Sequence, residues 1–81
     1  MLAAEQGNDR AQFNLGVSYL RGEGVIKDNI YAHMWANIAA SNGSEEGIKV
    51  RNELTKNMTP SQIQEAQKLA RECIAKNYKG C

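Results

Sequence analysis

The chain of 81 residues predicts an all-α fold of antiparallel helix pairs, about four helices with the last acting as a C-terminal cap. Internal repetition is the first sign. "AAEQG" at residues 3–7 returns as "AASNG" at residues 39–43, a spacing of 36 that suits two helices of about 12 residues and their connectors. Helical periodicity of apolar residues within that period is the second, and a set of cap signals between the periodic runs is the third.

The first long helix is carried by "AQFNLGVSYL", where Ala11, Leu15 and Tyr19 recur every four residues and share one face. Gly16 sits beside that stripe. A glycine inside a helix costs about 1 kcal/mol relative to alanine, so its use is to let a neighbouring helix approach closely. "RGEGVIKD" follows as a connector, with Gly22 supplying a left-handed helix cap, Gly24 completing the reversal and Val25 turned toward the space between the helices. Asp28 or Asn29 caps the second helix, "NIYAHMWANIAAS". There Tyr31, Trp35 and Ile38 share a face with Ala32 and Ala39 beside it, so large aromatics of one helix fill the space left by small residues of the other.

Ser44 caps the third helix, with Glu45 and Glu46 suited to its positive end. Shifting Ala11, Leu15 and Tyr19 by one period gives Gly47, Arg51 and Thr55, so the expected core stripe has lost its large apolar side chains. Arg10, Asn14, Ser18 and Arg21, an exposed stripe of the first copy, map to Glu46, Val50, Leu54 and Asn57. This predicts an apolar face rotated toward the final helix. That helix opens on "TPSQ", a capping box with Thr59 at the N-cap, Pro60 at the first position and Gln62 at the third. Ile63, Ala66, Ala70, Cys73 and Ile74 form its apolar face.

Composition limits the function classes. Ten Lys and Arg against nine Asp and Glu are scattered without runs, which argues against nucleic acid as a partner. No apolar stretch is long enough to insert in a membrane, and Glu5, Asp9 and Arg10 stand where a signal peptide needs an apolar core, so any targeting segment lies outside this chain. Gly22 and Gly24 lack the third glycine and the preceding strand of a dinucleotide fingerprint. His33, the single histidine, has no Cys or carboxylate at i+3 or i+4 to share a metal with. No serine sits in a nucleophile elbow and no carboxylate pair is set in apolar surroundings. No catalytic residue, cofactor or metal site is therefore expected, and Met34 and Met58 read as core filling.

Residues 4–43 resemble the Sel1-like repeat, a relative of the tetratricopeptide repeat. The likeness rests on the Ala-x-x-Gly opening, Ala11, Leu15-Gly16-x-x-Tyr19, Gly22-x-Gly24-Val25, Asp28, Ala32, Trp35 and Ala39-Ala40. The plain tetratricopeptide pattern has a 34-residue period and a Trp where this chain has Gln12. The resemblance implies a short right-handed α-solenoid in one domain, residues 1–81: one full repeat at 4–43 and a divergent terminal helix pair at 44–81. It also implies the C-terminal end of a longer bacterial array, because "LAAEQG" reads as the tail of an earlier repeat and the last helices resemble those that close such arrays.

The function implied is a non-enzymatic scaffold for an unidentified protein or peptide, packed against adjacent repeats. Its candidate lining is the polar face of the first helix, Arg10, Asn14, Ser18 and Arg21, with Phe13 as an apolar anchor. Two alternatives stand beside it. One is a purely structural cap of the array; the other is β-lactamase-like hydrolysis as described for cysteine-rich Sel1-like proteins, which carry a cysteine pair in each repeat where residues 4–43 have none.

Cys73 and Cys81 are separated by "IAKNYKG", and Gly80 allows the chain to turn back. A bridge would pin the tail to the last helix and contribute about 2.5 kcal/mol in the loop-entropy model. The other reading is a buried Cys73 and a free Cys81. A bridged protein belongs in a periplasmic or secreted setting, and an unbridged one in the cytoplasm.

Overall fold

The computed structural model describes residues 2–81, all helical or connecting. A single turn, α1 (Leu2–Glu5), precedes four long helices: α2 (Asp9–Arg21), α3 (Asn29–Ser41), α4 (Glu45–Asn57) and α5 (Pro60–Ala75). Each long helix starts at a side chain that accepts from a first-turn amide: Asn8, Asp28, Ser44 and Thr59 respectively. Thr59 and Gln62 form the full capping box. The sequence predicts about four helices, and the described residues form five, because the "LAAE" that reads as the tail of an earlier helix keeps one helical turn of its own. The Asp28 amide also donates to the Tyr19 carbonyl oxygen at 3.0 Å, which ties the α2–α3 connector back onto α2.

Helix α3 is the centre of the packing, with α2, α4 and α5 all against it. Two glycines make this possible. A Cβ on Gly16 of α2 would stand 3.2 Å from the Ala32 carbonyl oxygen and the Ala36 nitrogen, and one on Gly47 of α4 would stand 2.8 Å from the Ala36 carbonyl oxygen. Both helices therefore meet α3 nearly backbone to backbone, over the fully buried Ala32, Ala36 and Ala39. The large side chains take the remaining directions: Leu15, Met34, Trp35 and Ile38 pack with Ala70 and Cys73, and Ala32 packs with Leu54, Met58 and Ala66. Truncating Trp35 to alanine would empty the middle of the first cluster and cost about 3–5 kcal/mol.

Ile30 of α3 shares a cluster with Ile63 of α5, and Ile38 shares one with Cys73, so α3 and α5 run parallel. Helices α2 and α4 pair in the same sense, since Phe13 lies by the start of α4 and Leu20 by its last turns. The result is two layers, α2 with α4 and α3 with α5. Tyr19 and Tyr31 bridge the layers with ring centroids 5.4 Å apart.

Two details differ from the sequence reading, and the connector glycines follow it. Ile74, assigned to the apolar face of α5, is 42% exposed because it is turned about 100° round the helix from Cys73, the residue of that turn that packs into the core with Met34, Trp35 and Ile38. Gly22 is the left-handed C-cap of α2, as its sequence context predicts, and Gly24 also has positive φ (69° and 76°); both are exposed, so their place among the structural residues rests on conformation and not on burial. Gly47, Arg51 and Thr55 still face α3: Gly47 by close approach, Arg51 through Asn37 Oδ1 at 3.0 Å, and Thr55 through His33. Leu54 shares a buried cluster with Ala66 of α5, and Val50 packs against the same cluster, which accords with the expected turn of the α4 apolar face toward the final helix.

Candidate interaction surface

The polar stripe of α2 lies on the layer formed with α4. Arg10, Asn14 and Arg21 are exposed, while Phe13 and Ser18 are half-buried. Their spacings of four, four and three residues keep Arg10, Asn14, Ser18 and Arg21 on one helical face. The Ser18 hydroxyl donates to the Asn14 carbonyl oxygen at 3.0 Å, so its outward contribution is the hydroxyl oxygen's lone pairs. Arg21 approaches Glu23 at 3.9 Å in full solvent, a contact that leaves its guanidinium available.

Two hollows flank this stripe between α2 and α4. Near the helix starts, Asp9, Arg10 and Phe13 face Gly43 to Glu46 across a cleft of about 390 Å³, with charges of both signs on its walls. Near the helix ends, Leu20, Val50 and Leu54 floor an apolar hollow of about 280 Å³ rimmed by Lys49, Glu53 and Asn57. The four positions one period after the α2 stripe, Glu46, Val50, Leu54 and Asn57, all line one hollow or the other. The apolar hollow was not legible as a site in the sequence, though the replacement of polar residues by Val50 and Leu54 at equivalent positions is its trace.

Behind the surface, the seam between α3 and α4 is polar. His33 is buried, with Nε2 3.2 Å from Thr55 Oγ1. Thr55 donates its own proton to the Arg51 carbonyl oxygen at 2.7 Å, so Oγ1 accepts from Nε2–H and the network favours that tautomer. Nδ1 has no hydrogen-bond partner among the described residues. Burial pushes the His33 pKa below its ordinary value, and the Arg51 guanidinium adds to the effect. Both effects favour the neutral form of His33. Among the described residues no group of three or more His, Cys, Asp or Glu is placed to hold a metal.

The sequence reading noted Gln12 only as a departure from a related pattern, and the structure buries it completely. Its Nε2 donates to the Ala4 carbonyl oxygen at 3.0 Å, and its Oε1 accepts from Asn42 Nδ2 at 2.8 Å. Gln12 thereby joins the ends of α1 and α3 to α2. Cys73 and Cys81 lie at disulfide distance, with sulfurs 2.06 Å apart and Cα atoms 5.7 Å apart. No helix is long and apolar enough to cross a membrane among the described residues.

Packed antiparallel helix pairs, with first helices side by side in one layer and second helices in the other, define a helical repeat protein. Residues 9–44 match the family described as Sel1 repeat, from the first residue of α2 to the N-cap of α4. That segment is therefore similar to the Sel1 repeat. No curated protein matches the chain.

Proposed function

We propose that this chain is a non-enzymatic scaffold segment whose α2–α4 layer binds an extended segment of a protein partner. The observation that carries the reading is the pairing of an exposed polar stripe, Arg10, Asn14 and Arg21, with an apolar hollow over Leu20, Val50 and Leu54 on the same layer. A peptide laid along α2 would seat one apolar side chain in the hollow and set its polar backbone and acidic groups against the stripe. Lys49 and Glu53 give the rim of the hollow one charge of each sign.

The same reading places the chain at the C-terminal end of a longer right-handed array in a bacterial protein, residues 4–43 forming a full repeat and residues 44–81 the closing pair. What supports this is the single turn α1, whose Ala3-Ala4 stands one period before Ala39-Ala40 at the end of α3. A second reading, a cap with no partner of its own, draws on α5, whose outer face is the polar row Gln64, Glu65, Gln67, Lys68 and Arg71.

Affinity capture from the native host separates the two. The wild-type chain should retain a protein that the Asn14→Ala/Arg21→Glu double variant loses by tenfold or more, while a Gln67→Ala/Arg71→Glu variant on α5 retains it. Equal capture by all three chains would favour the cap.

A further inference from the structure

The last six residues fold back across one end of the core instead of trailing from α5. Lys76 caps the helix, then Asn77 and Tyr78 both take left-handed backbone angles, φ 57° and 66°, and Gly80 follows at 74°. The Tyr78 amide donates to the Cys73 carbonyl oxygen at 2.8 Å, which closes the turn. The Tyr78 ring then lies over Gly7, close enough that a Cβ there would touch Cε2 at 3.4 Å. Its hydroxyl reaches Asn42, the partner of Gln12, with contacts of 3.3 and 3.4 Å.

Tyr78, Gly80 and Cys81 form one wall of a cavity of about 270 Å³, and Glu5, Leu15, Tyr19, Val25 and Trp35 form the rest. The tail is a strap over the Leu15–Trp35 end of the fold. Its own hold is weak: two successive non-glycine residues sit in a disfavoured backbone region, and the hydroxyl contacts are long. Helix α5 has a separate attachment through buried Ala66, Ala70 and Cys73. The two cysteines also differ in access, since Cys73 is buried and Cys81 half-buried.

We infer that Cys73 and Cys81 are the latch of a redox-released strap, residues 76–81, whose reduction uncovers the Leu15–Trp35 end of the core and leaves the helices in place. A dithiol opens the latch in two exchanges. Its first thiolate attacks the sulfur of Cys81, the less buried of the two cysteines, the Cys73–Cys81 bond breaks, and Cys73 leaves as a thiolate that takes up a proton. The second thiolate of the reductant then displaces Cys81 from the mixed disulfide. Cys81 takes up the second proton, and the reductant departs as a cyclic disulfide, having supplied both electrons.

Limited trypsin digestion of the full chain tests this, because Lys76 and Lys79 lie within the strap. With dithiothreitol, cleavage after Lys76 and Lys79, read by mass spectrometry, should accelerate tenfold or more, while cleavage after Arg21 and Lys49 changes less than twofold. The Cys81→Ser variant, which leaves buried Cys73 untouched, should show the fast pattern without reductant. Unchanged cleavage at Lys76 and Lys79 on reduction would overturn the inference. So would equal acceleration at all four sites, which would make the bridge a staple of the whole fold, or two alkylatable thiols remaining after treatment with diamide.

Discussion

Replacing Gly47 with alanine tests how α4 is seated. The new Cβ would stand 2.8 Å from the Ala36 carbonyl oxygen, 3.1 Å from Ala39 Cβ and 3.1 Å from the Ala40 nitrogen. Two of these three neighbours are backbone atoms of a helix packed on three sides, so no rotamer change relieves the contact. Overpacking of this kind costs about 1–3 kcal/mol, and the upper part of that range applies where the partner is backbone. Alanine returns about 1 kcal/mol of helix propensity. The net expectation is about 1–2 kcal/mol of destabilisation, or a melting temperature lower by roughly 5–15 °C for a domain of this size. Gly16→Ala is the internal comparison. Its closest contacts are 3.2 Å, so a shift of a few tenths of an ångström relieves them, and the net change should stay within about 1 kcal/mol. Circular dichroism at 222 nm during thermal unfolding measures both. A Gly47→Ala protein that melts at or above the parent would refute the close seating of α4 on α3.

Three further outcomes follow from the same packing. Because the His33 pKa is lowered by burial and by Arg51, the unfolded chain takes up the proton first as the pH falls. The His33 contribution to stability is therefore intact above about pH 6.5 and declines below it until the folded protein also protonates, so the drop in urea midpoint between pH 7.5 and 5 should shrink in His33→Gln. Gln12→Met keeps the side-chain volume but abandons the Ala4 carbonyl oxygen and Asn42; it should cost about 1–3 kcal/mol in urea unfolding, and a neutral result would contradict the burial of that network. Asp28→Ala removes acceptors for the Ile30 and Tyr31 amides and should cost about 1 kcal/mol, measured in the same way.

Much of the fold was written locally. Asp28, Ser44 and Thr59 cap through partners two or three residues away, and such short-range signals survive in a single sequence, whereas the cap at Asn8 emerged only from the structure. The close approach at Gly16 was legible for a related reason: a glycine that weakens its own helix needs a neighbour to justify it. The partners of Gln12, at positions 4 and 42, were not legible, because nothing in local periodicity brings α1, α2 and the end of α3 together. Tyr78 is a similar case, since its contacts with Gly7 and Asn42 depend on how the tail turns. The candidate surface was half readable. Its polar stripe follows from helical spacing on α2, whereas the hollow over Leu20, Val50 and Leu54 arises from side chains of two helices separated by all of α3.

Recognition through the α2–α4 layer is the central functional claim, and site-specific photocrosslinking addresses it most directly. A photoreactive residue in place of Asn14, on the exposed face of α2, is compared with one in place of Gln67 on the outer face of α5. In the native host, the Asn14 position should crosslink to a discrete protein partner, and the crosslink should vanish when Arg21 is reversed to Glu. Crosslinks of equal yield and identity from both positions, or none from Asn14, would contradict the account.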